Sequence, residues 1–169
     1  MEHSHRLFRP FSLNLHGTLH EYTRPQVMGI INVTPDSFYS TSRASNEESI
    51  RNKTAEMLAQ GADMIDIGAY SSRPGADDVP AAEEMARLRT GMKAIRDIAP
   101  DIPVSVDTFR ASVARMAIEE LGADIINDIS GGLLDPDMFQ TVADLRVPYI
   151  LMHMRGTPAT MQQLTDYPG

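Results

Sequence analysis

Gly61-Ala62-Asp63-Met64-Ile65-Asp66-Ile67 closes one helix and opens one strand. Gly is the residue that most readily ends a helix in the left-handed conformation. Met64–Ile67 is too short for a helix and apolar enough for a buried strand. The stretch has an echo further on, Gly122-Ala123-Asp124-Ile125-Ile126-Asn127, again a glycine cap feeding an apolar run. We read the echo as one βα solution used twice rather than as an array of repeats.

Outward from these two stretches the same pattern continues. The apolar runs are Val27–Ile31, Met64–Ile67, Val104–Val106, Ile125–Ile126 and Tyr149–Met152. Short β-branched runs with little alternation are what parallel strands buried on both faces require. Amphipathic helices are predicted between them. Glu47–Gln60 places Ile50, Met57 and Leu58 on one face, with Asn46 as N-cap. Pro80–Ile98 carries the stripe Met85, Leu88, Met92, Ile95, and Arg110–Leu121 carries Val113, Ala117, Leu121. Asp135-Pro136 reads as an N-cap with Pro at the first helical position, opening a short helix with Met138, Val142 and Leu145. Ahead of all this, Leu13 and Leu15 alternate with polar residues, His16-Gly17 is a turn and Leu19 begins a return strand. This predicts a β-hairpin covering one end of the domain.

Alternating strands and helices imply an α/β protein with a parallel sheet. An open doubly wound sheet and a (β/α)8 barrel of the TIM type both fit. No Gly-x-Gly-x-x-Gly follows the first strand, which argues against the dinucleotide-binding form of the open sheet. A whole barrel takes roughly 200 residues or more, so about five βα units in 169 residues are expected to form an incomplete barrel. The expected division is a hairpin segment over 1–24 and a partial barrel over 25–169 lacking the later strands.

Composition narrows the partners. The chain has 42% apolar and 22% charged residues, no cysteine and a formal net charge of -8. An acidic chain repels a phosphate backbone, so nucleic acid is not an expected partner. No apolar run reaches the roughly 20 residues of a membrane span, and the first residues lack the apolar stretch of a signal peptide. Absence of cysteine suits a reducing compartment, and a cytoplasmic location is expected.

The chemistry is expected where the strands end. Asn32, Asp66, Gly68, Asp107, Asn127, Asp128 and His153 follow or finish the apolar runs. Parallel α/β folds place their ligands at those carboxyl ends. Asp107 and Asn127 suit a flat heterocycle with an amino-pyrimidinone edge, because one accepts and the other both accepts and donates. Asn32 offers a carbonyl oxygen of the kind Mg²⁺ accepts. Arg73, in Ser71-Ser72-Arg73-Pro74-Gly75, suits a phosphate or carboxylate. Plainer readings stand beside these. Asp107 has the type to cap the helix near Arg110. Asn127 and Asp128 have the type to brace the loop into Ser130-Gly131-Gly132, whose glycines form either an anion nest or a tight turn. His153 has no metal-binding companions nearby and reads equally as a core or supporting histidine.

Val27-Met28-Gly29-Ile30-Ile31-Asn32-Val33-Thr34-Pro35-Asp36-Ser37-Phe38 closely resembles the first loop motif of dihydropteroate synthases. Gly68–Ala76, Val104–Thr108, Ile126–Gly132 and Leu151–Pro158 resemble later motifs of that family, in order and at fitting spacings. The resemblance implies a (β/α)8 barrel that condenses 6-hydroxymethyl-7,8-dihydropterin pyrophosphate with p-aminobenzoate, with Mg²⁺ stabilising the leaving pyrophosphate. It implies Asn32 as the metal ligand and Asp107 and Asn127 on the pterin edge, with Ile129 and Met152 in the same pocket. Ser72 would reach the pyrophosphate or p-aminobenzoate. Thr34, Pro35, Asp36, Ser37 and Phe38 would form a loop over p-aminobenzoate, with Arg73 beside it. It further implies a homodimer in the full-length family member and a place among sulfonamide targets. The chain departs from the family at Tyr39-Ser40-Thr41-Ser42 and at Ala69-Tyr70. The family's later motifs (an Asp, a Lys and an Arg-x-His) are absent, so this chain alone is expected to be inactive and to self-associate through free strand edges. A pterin-dependent methyltransferase domain and a non-catalytic pterin-binding module are the alternatives.

Overall fold

Two rows of side chains on a parallel sheet determine this fold, one against helices and one facing away from them. The computed structural model describes residues 8–34, 43–70, 79–157 and 160–167. A hairpin of β1 (Phe11–Leu15) and β2 (Thr18–Tyr22) is followed by β3 (Met28–Asn32), α1 (Arg43–Ala59), β4 (Met64–Gly68) and α2 (Ala81–Ile98). Then come β5 (Val104–Asp107), α3 (Ala111–Glu119), β6 (Ile125–Asp128), α4 (Met138–Leu145), β7 (Tyr149–Leu151) and a 3-10 turn, Met161–Gln163. Strands β3 to β7 lie side by side in chain order, and every neighbouring pair is parallel. An open doubly wound sheet would reverse its order at a switch point. Here the order never reverses and successive helices pack on one another, which is the winding of a barrel wall.

The outer face is the apolar one. Ile31, Ile65, Ile67, Val104, Val106 and Ile126 are at most 2% exposed and meet Ile50, Leu88, Met92, Ile95, Val113 and Met138 from the helices. The predicted stripes of the second and third helices are therefore the buried ones. Close packing shows at Gly29, where an added Cβ would stand 2.7 Å from Met57 Sδ, and at Gly91, where it would stand 2.4 Å from Ile67 Cδ1.

The hairpin closes the amino-terminal end of the inner face. His16 and Gly17 both take positive φ, 49° and 83°, as a tight two-residue turn requires. Leu15 packs with Met64 and Ile125, and Leu13, Tyr22 and Met28 surround them. His16 Nε2 lies 3.1 Å from Asp124 Oδ1. The echo seen in the sequence is a real structural repeat at this end. Asp63 Oδ2 accepts from Val27 N at 2.9 Å and Asp124 Oδ2 accepts from Val104 N at 2.8 Å, each tying down the start of the neighbouring strand. Each carboxylate also meets an arginine, Arg24 or Arg96. Gly61 and Gly122, with φ of 94° and 66°, turn the chain into these two clamps.

Two helix starts differ from expectation. α1 begins at Arg43, so Asn46 lies inside its first turn rather than capping it. α4 begins at Met138 with Asp137 at the cap position, not at Asp135-Pro136. The Asp135 carboxylate is already engaged, accepting from Asp137 N at 3.0 Å and from Ala111 N at 2.8 Å. It thus caps the start of α3, a neighbour in space and not in sequence. No described helix is long and apolar enough to cross a membrane. Among the described residues β3 and β7 are the sheet's edges, and Ile30, Ile150 and Leu151 on them are exposed.

Leu88 is fully buried at the centre of the helix–sheet layer. Leu88→Ala is expected to cost about 2–5 kcal/mol, read as a lowered midpoint in urea denaturation.

Candidate active site

Because side chains alternate along a strand, residues in register share a face. Asn32 pairs with Gly68, Gly68 with Asp107, and Asp107 with Asn127. These four form one row across the inner face, at the carboxyl ends of β3 to β6. Gly68 leaves a hollow in that row. A Cβ there would stand 3.4 Å from Asp107 Oδ2 and 3.5 Å from Asn32 Oδ1, so both oxygens look into the same space. One step lower on the same face come Asp66 and Ser105, directly paired.

The carboxyls of this region behave differently. Asp128 faces the other way and is fully buried. It accepts from Ser130 N at 2.7 Å, Gly132 N at 2.8 Å and the Tyr149 hydroxyl at 2.6 Å. Burial of the Tyr149 hydroxyl, together with this bond, pushes its pKa upward. The Ser130-Gly131-Gly132 stretch is therefore a tight turn braced by Asp128, with all three of its amides already engaged. Asn127 lies in the inner-face row and Asp128 is buried behind it.

Asp107 does not cap α3. The first amides of that helix are taken by Thr108 Oγ1, which accepts from Arg110 N at 3.2 Å, and by Asp135. Asp107 is left half-buried and makes no hydrogen bond with the described residues. Its carboxyl is pushed up to about 7, by burial first and then by the charges of Asp66, Glu84 and Asp128. Burial also raises the Asp66 carboxyl, opposed by the Ser105 hydroxyl and the Asn127 amide beside it.

A second network, not foreseen from the sequence, lies behind Asp107. Glu84 on α2 is 1% exposed, accepts from Thr108 Oγ1 at 2.8 Å and is ion-paired with Arg110. The Arg110 guanidinium stands 5.2 Å from the Tyr70 ring centre and 5.0 Å from that of Phe109. Thr108 N donates to Asn127 O at 3.0 Å. The residue after Asp107 is thus locked to the helix layer and to the next strand. A signal existed in the sequence, since Glu84 precedes Leu88 by four and Gly91 by seven and so shares the apolar face of its helix.

Of the other expected site residues, Thr34 is buried just past β3 and Ile129 half-buried just past β6. Met152 follows β7, 38% exposed, its N–H donating to Asp128 O at 3.1 Å. His153 is exposed and shares a hydrogen bond with the Tyr167 hydroxyl at 2.9 Å, so it is not a core histidine. Pro35, Asp36, Ser37, Phe38, Ser72 and Arg73 lie outside the described residues.

The inner-face row of acid and amide side chains lies at the carboxyl ends of the strands, where parallel α/β folds place their ligands. The chain belongs to the pterin-binding enzyme family, whose model matches residues 28–168. It is 46% identical over 144 residues to the dihydropteroate synthase of Synechocystis sp., covering 85% of this chain and 49% of that protein. It is 46% identical over 142 residues to a mitochondrial folate synthesis bifunctional protein of Arabidopsis thaliana, covering 82% of this chain and 25% of that protein. Among solved structures, Xanthomonas albilineans dihydropteroate synthase with 4-aminobenzoic acid superposes with a TM-score of 0.75 at 41% identity, over 86% of this chain and 52% of the other. The Yersinia pestis dihydropteroate synthase in a sulfonamide drug complex gives 0.77 at 36% identity, over 94% and 57%. The chain spans about half the length of the dihydropteroate synthases it matches. Its five strands are thus part of a TIM-type barrel.

The Asp107 carboxyl has a folded pKa above its unfolded value, near 4. Both states hold the proton below that pH, so Asp107 is then neutral in its effect. Stability falls as the pH rises toward about 7, and the full penalty persists above it. Asp107→Asn is expected to melt higher than the wild type at about pH 8 and to converge with it at about pH 4, followed by circular dichroism.

Proposed function

We propose that this chain carries the pterin-binding part of a dihydropteroate synthase active site. The protein would join 6-hydroxymethyl-7,8-dihydropterin pyrophosphate to p-aminobenzoate. The observation that supports this most is the row Asn32, Gly68, Asp107, Asn127, with the Asn32 and Asp107 oxygens facing one hollow. The names of the relatives point the same way, and two of the solved structures are complexes with 7,8-dihydropteroate.

In the reaction the p-aminobenzoate nitrogen forms a bond to the exocyclic methylene carbon. The bond from that carbon to the pyrophosphate oxygen breaks, and the nitrogen loses a proton. No protein nucleophile is needed, so the protein's work is positioning and leaving-group stabilisation. In this reading Asp107 and Asn127 hold the flat amino-pyrimidinone edge, with Ile129 and Met152 lining the ring's faces. Thr34 with Pro35–Phe38 covers p-aminobenzoate, where sulfonamides would compete. Ser72 and Arg73 attend to the anionic groups.

Mg²⁺ belongs to the same reading. The Asn32 side chain is exposed at the mouth with its oxygen toward the hollow, a neutral hard donor. That fits a cation that keeps few protein ligands and takes the rest from phosphate and water. Bound there with the pyrophosphate, Mg²⁺ would neutralise the charge that develops on the leaving oxygens. A cytoplasmic setting and self-association are part of the proposal too, supported by the cysteine-free composition and by the exposed apolar edges of β3 and β7.

Calorimetry with 6-hydroxymethylpterin should show saturable binding to this chain, lost in Asp107→Ala. The protein that carries this chain, supplied with the pterin pyrophosphate, p-aminobenzoate and Mg²⁺, should release dihydropteroate and pyrophosphate. Folded protein that neither binds the pterin nor turns over would refute the assignment. Light scattering is expected to show oligomers of this chain, and a monodisperse monomer would contradict the self-association.

A further inference from the structure

Asp66 is the least economical residue in the sheet. It is 3% exposed, its Oδ1 is wholly buried without a hydrogen-bond partner, and the adjacent Ser105 Oγ is equally buried and unpartnered. The serine hydroxyl is close enough to favour the ionised carboxylate but lacks the geometry of a formed bond. A buried carboxylate satisfied on one oxygen only destabilises a fold, and an apolar side chain of similar volume would serve the core better. Stability therefore gives no reason for an acid here.

Its one formed contact supplies a reason. Asn127 Nδ2 donates to Asp66 Oδ2 at 3.2 Å. A carboxylate can only accept, so it admits the amide with nitrogen inward and repels the opposite rotamer. Asn127 Oδ1 is then turned away from Asp66, and it has no hydrogen-bond partner among the described residues. Gly68, with no side chain, and Ser105, with a short one, leave the diagonal between β4 and β6 clear for this reach.

We propose that Asp66 is a positioning residue that fixes the Asn127 amide with its oxygen toward the hollow, making the site select a heterocycle edge that presents N–H donors. The ligand class rests on the pterin reading above, whereas the orientation of Asn127 does not. Asp66 never touches the ligand in this account. It acts through Asn127.

Two substitutions separate the acceptor from the charge. Asp66→Leu removes the acceptor, and Asp66→Asn keeps one oxygen for Asn127 while removing the charge. In the ligand-free protein, the Asn127 side-chain NH₂ resonances should be resolved and slowly exchanging in the wild type and in Asp66→Asn. They should exchange fast in Asp66→Leu. Binding of 6-hydroxymethylpterin by calorimetry should weaken by about tenfold or more in Asp66→Leu, and by no more than about threefold in Asp66→Asn. The melting temperature of Asp66→Leu should equal or exceed that of the wild type, which a merely structural role would not allow. Should Asp66→Leu fail to fold, Asp66→Ala removes the same acceptor without the bulk. Unchanged Asn127 resonances in the acceptor-less variant, or equal loss of binding in the Leu and Asn variants, would overturn the proposal. If the wild type shows ordered Asn127 resonances but binds no pterin, the functional reading fails and the positioning role stands.

Discussion

The register of the parallel sheet is the constraint on which everything else rests. With a period of two along each strand, a shift of one residue between neighbours would exchange the inner and outer faces. Ile65↔Val104 and Ile67↔Val106 then place apolar side chains against the helices, and the same pairing necessarily aligns Gly68 with Asp107. The core and the site are therefore two readings of one registration. The clamps at the strand starts hold it, with Asp63 on Val27 N and Asp124 on Val104 N. At the opposite end Thr108 N reaches Asn127 O and Val33 N reaches Gly68 O, which carries the alignment up to the rim.

That rim is electrostatically uncomfortable. Asp66, Asp107, Glu84 and Asp128 share one neighbourhood, and the fold handles each differently. Glu84 has a guanidinium and a hydroxyl, and Asp128 has two amides and a phenol. Asp107 has neither, and its raised affinity for a proton is the result. Asp107, which makes no hydrogen bond with the described residues, stands beside the hollow, in line with the tendency of perturbed carboxyls to collect where ligands bind. Glu84 and Asp128 are satisfied by the protein itself and hold the strand ends in place, whereas Asp66 is partnered on one oxygen only.

The strands were legible because a buried parallel strand has a local signature. Met64–Ile67 and Val104–Val106 lie within one residue of the observed bounds. Helix starts were less legible because caps need not be local. Asp135 looks like the cap of its own helix, but with one oxygen on Asp137 N it uses the other to cap Ala111, twenty-four residues earlier. Asn32, Asp107 and Asn127 were visible as polar residues ending apolar runs, but their sharing of one row is a property of pairing that no single strand encodes. The separate fates of Asn127 and Asp128 follow from alternation, one facing in and the other out. The contact of Asn127 with Asp66 spans two strand spacings and one level of the sheet, which linear spacing does not reveal.

The repeated clamp makes each unit self-aligning. A unit that begins with a left-handed glycine and an aspartate fixing the adjacent strand carries its own means of alignment, so copying it in tandem leaves earlier units undisturbed. Asp66 and Asn127 occupy equivalent places in the two copies, three residues past Asp63 and Asp124. Identical acids at both would repel one another across the sheet. An acid at one and an amide at the other instead make a matched acceptor and donor. One nitrogen in place of one oxygen is the whole difference between a repulsive pair and a complementary one.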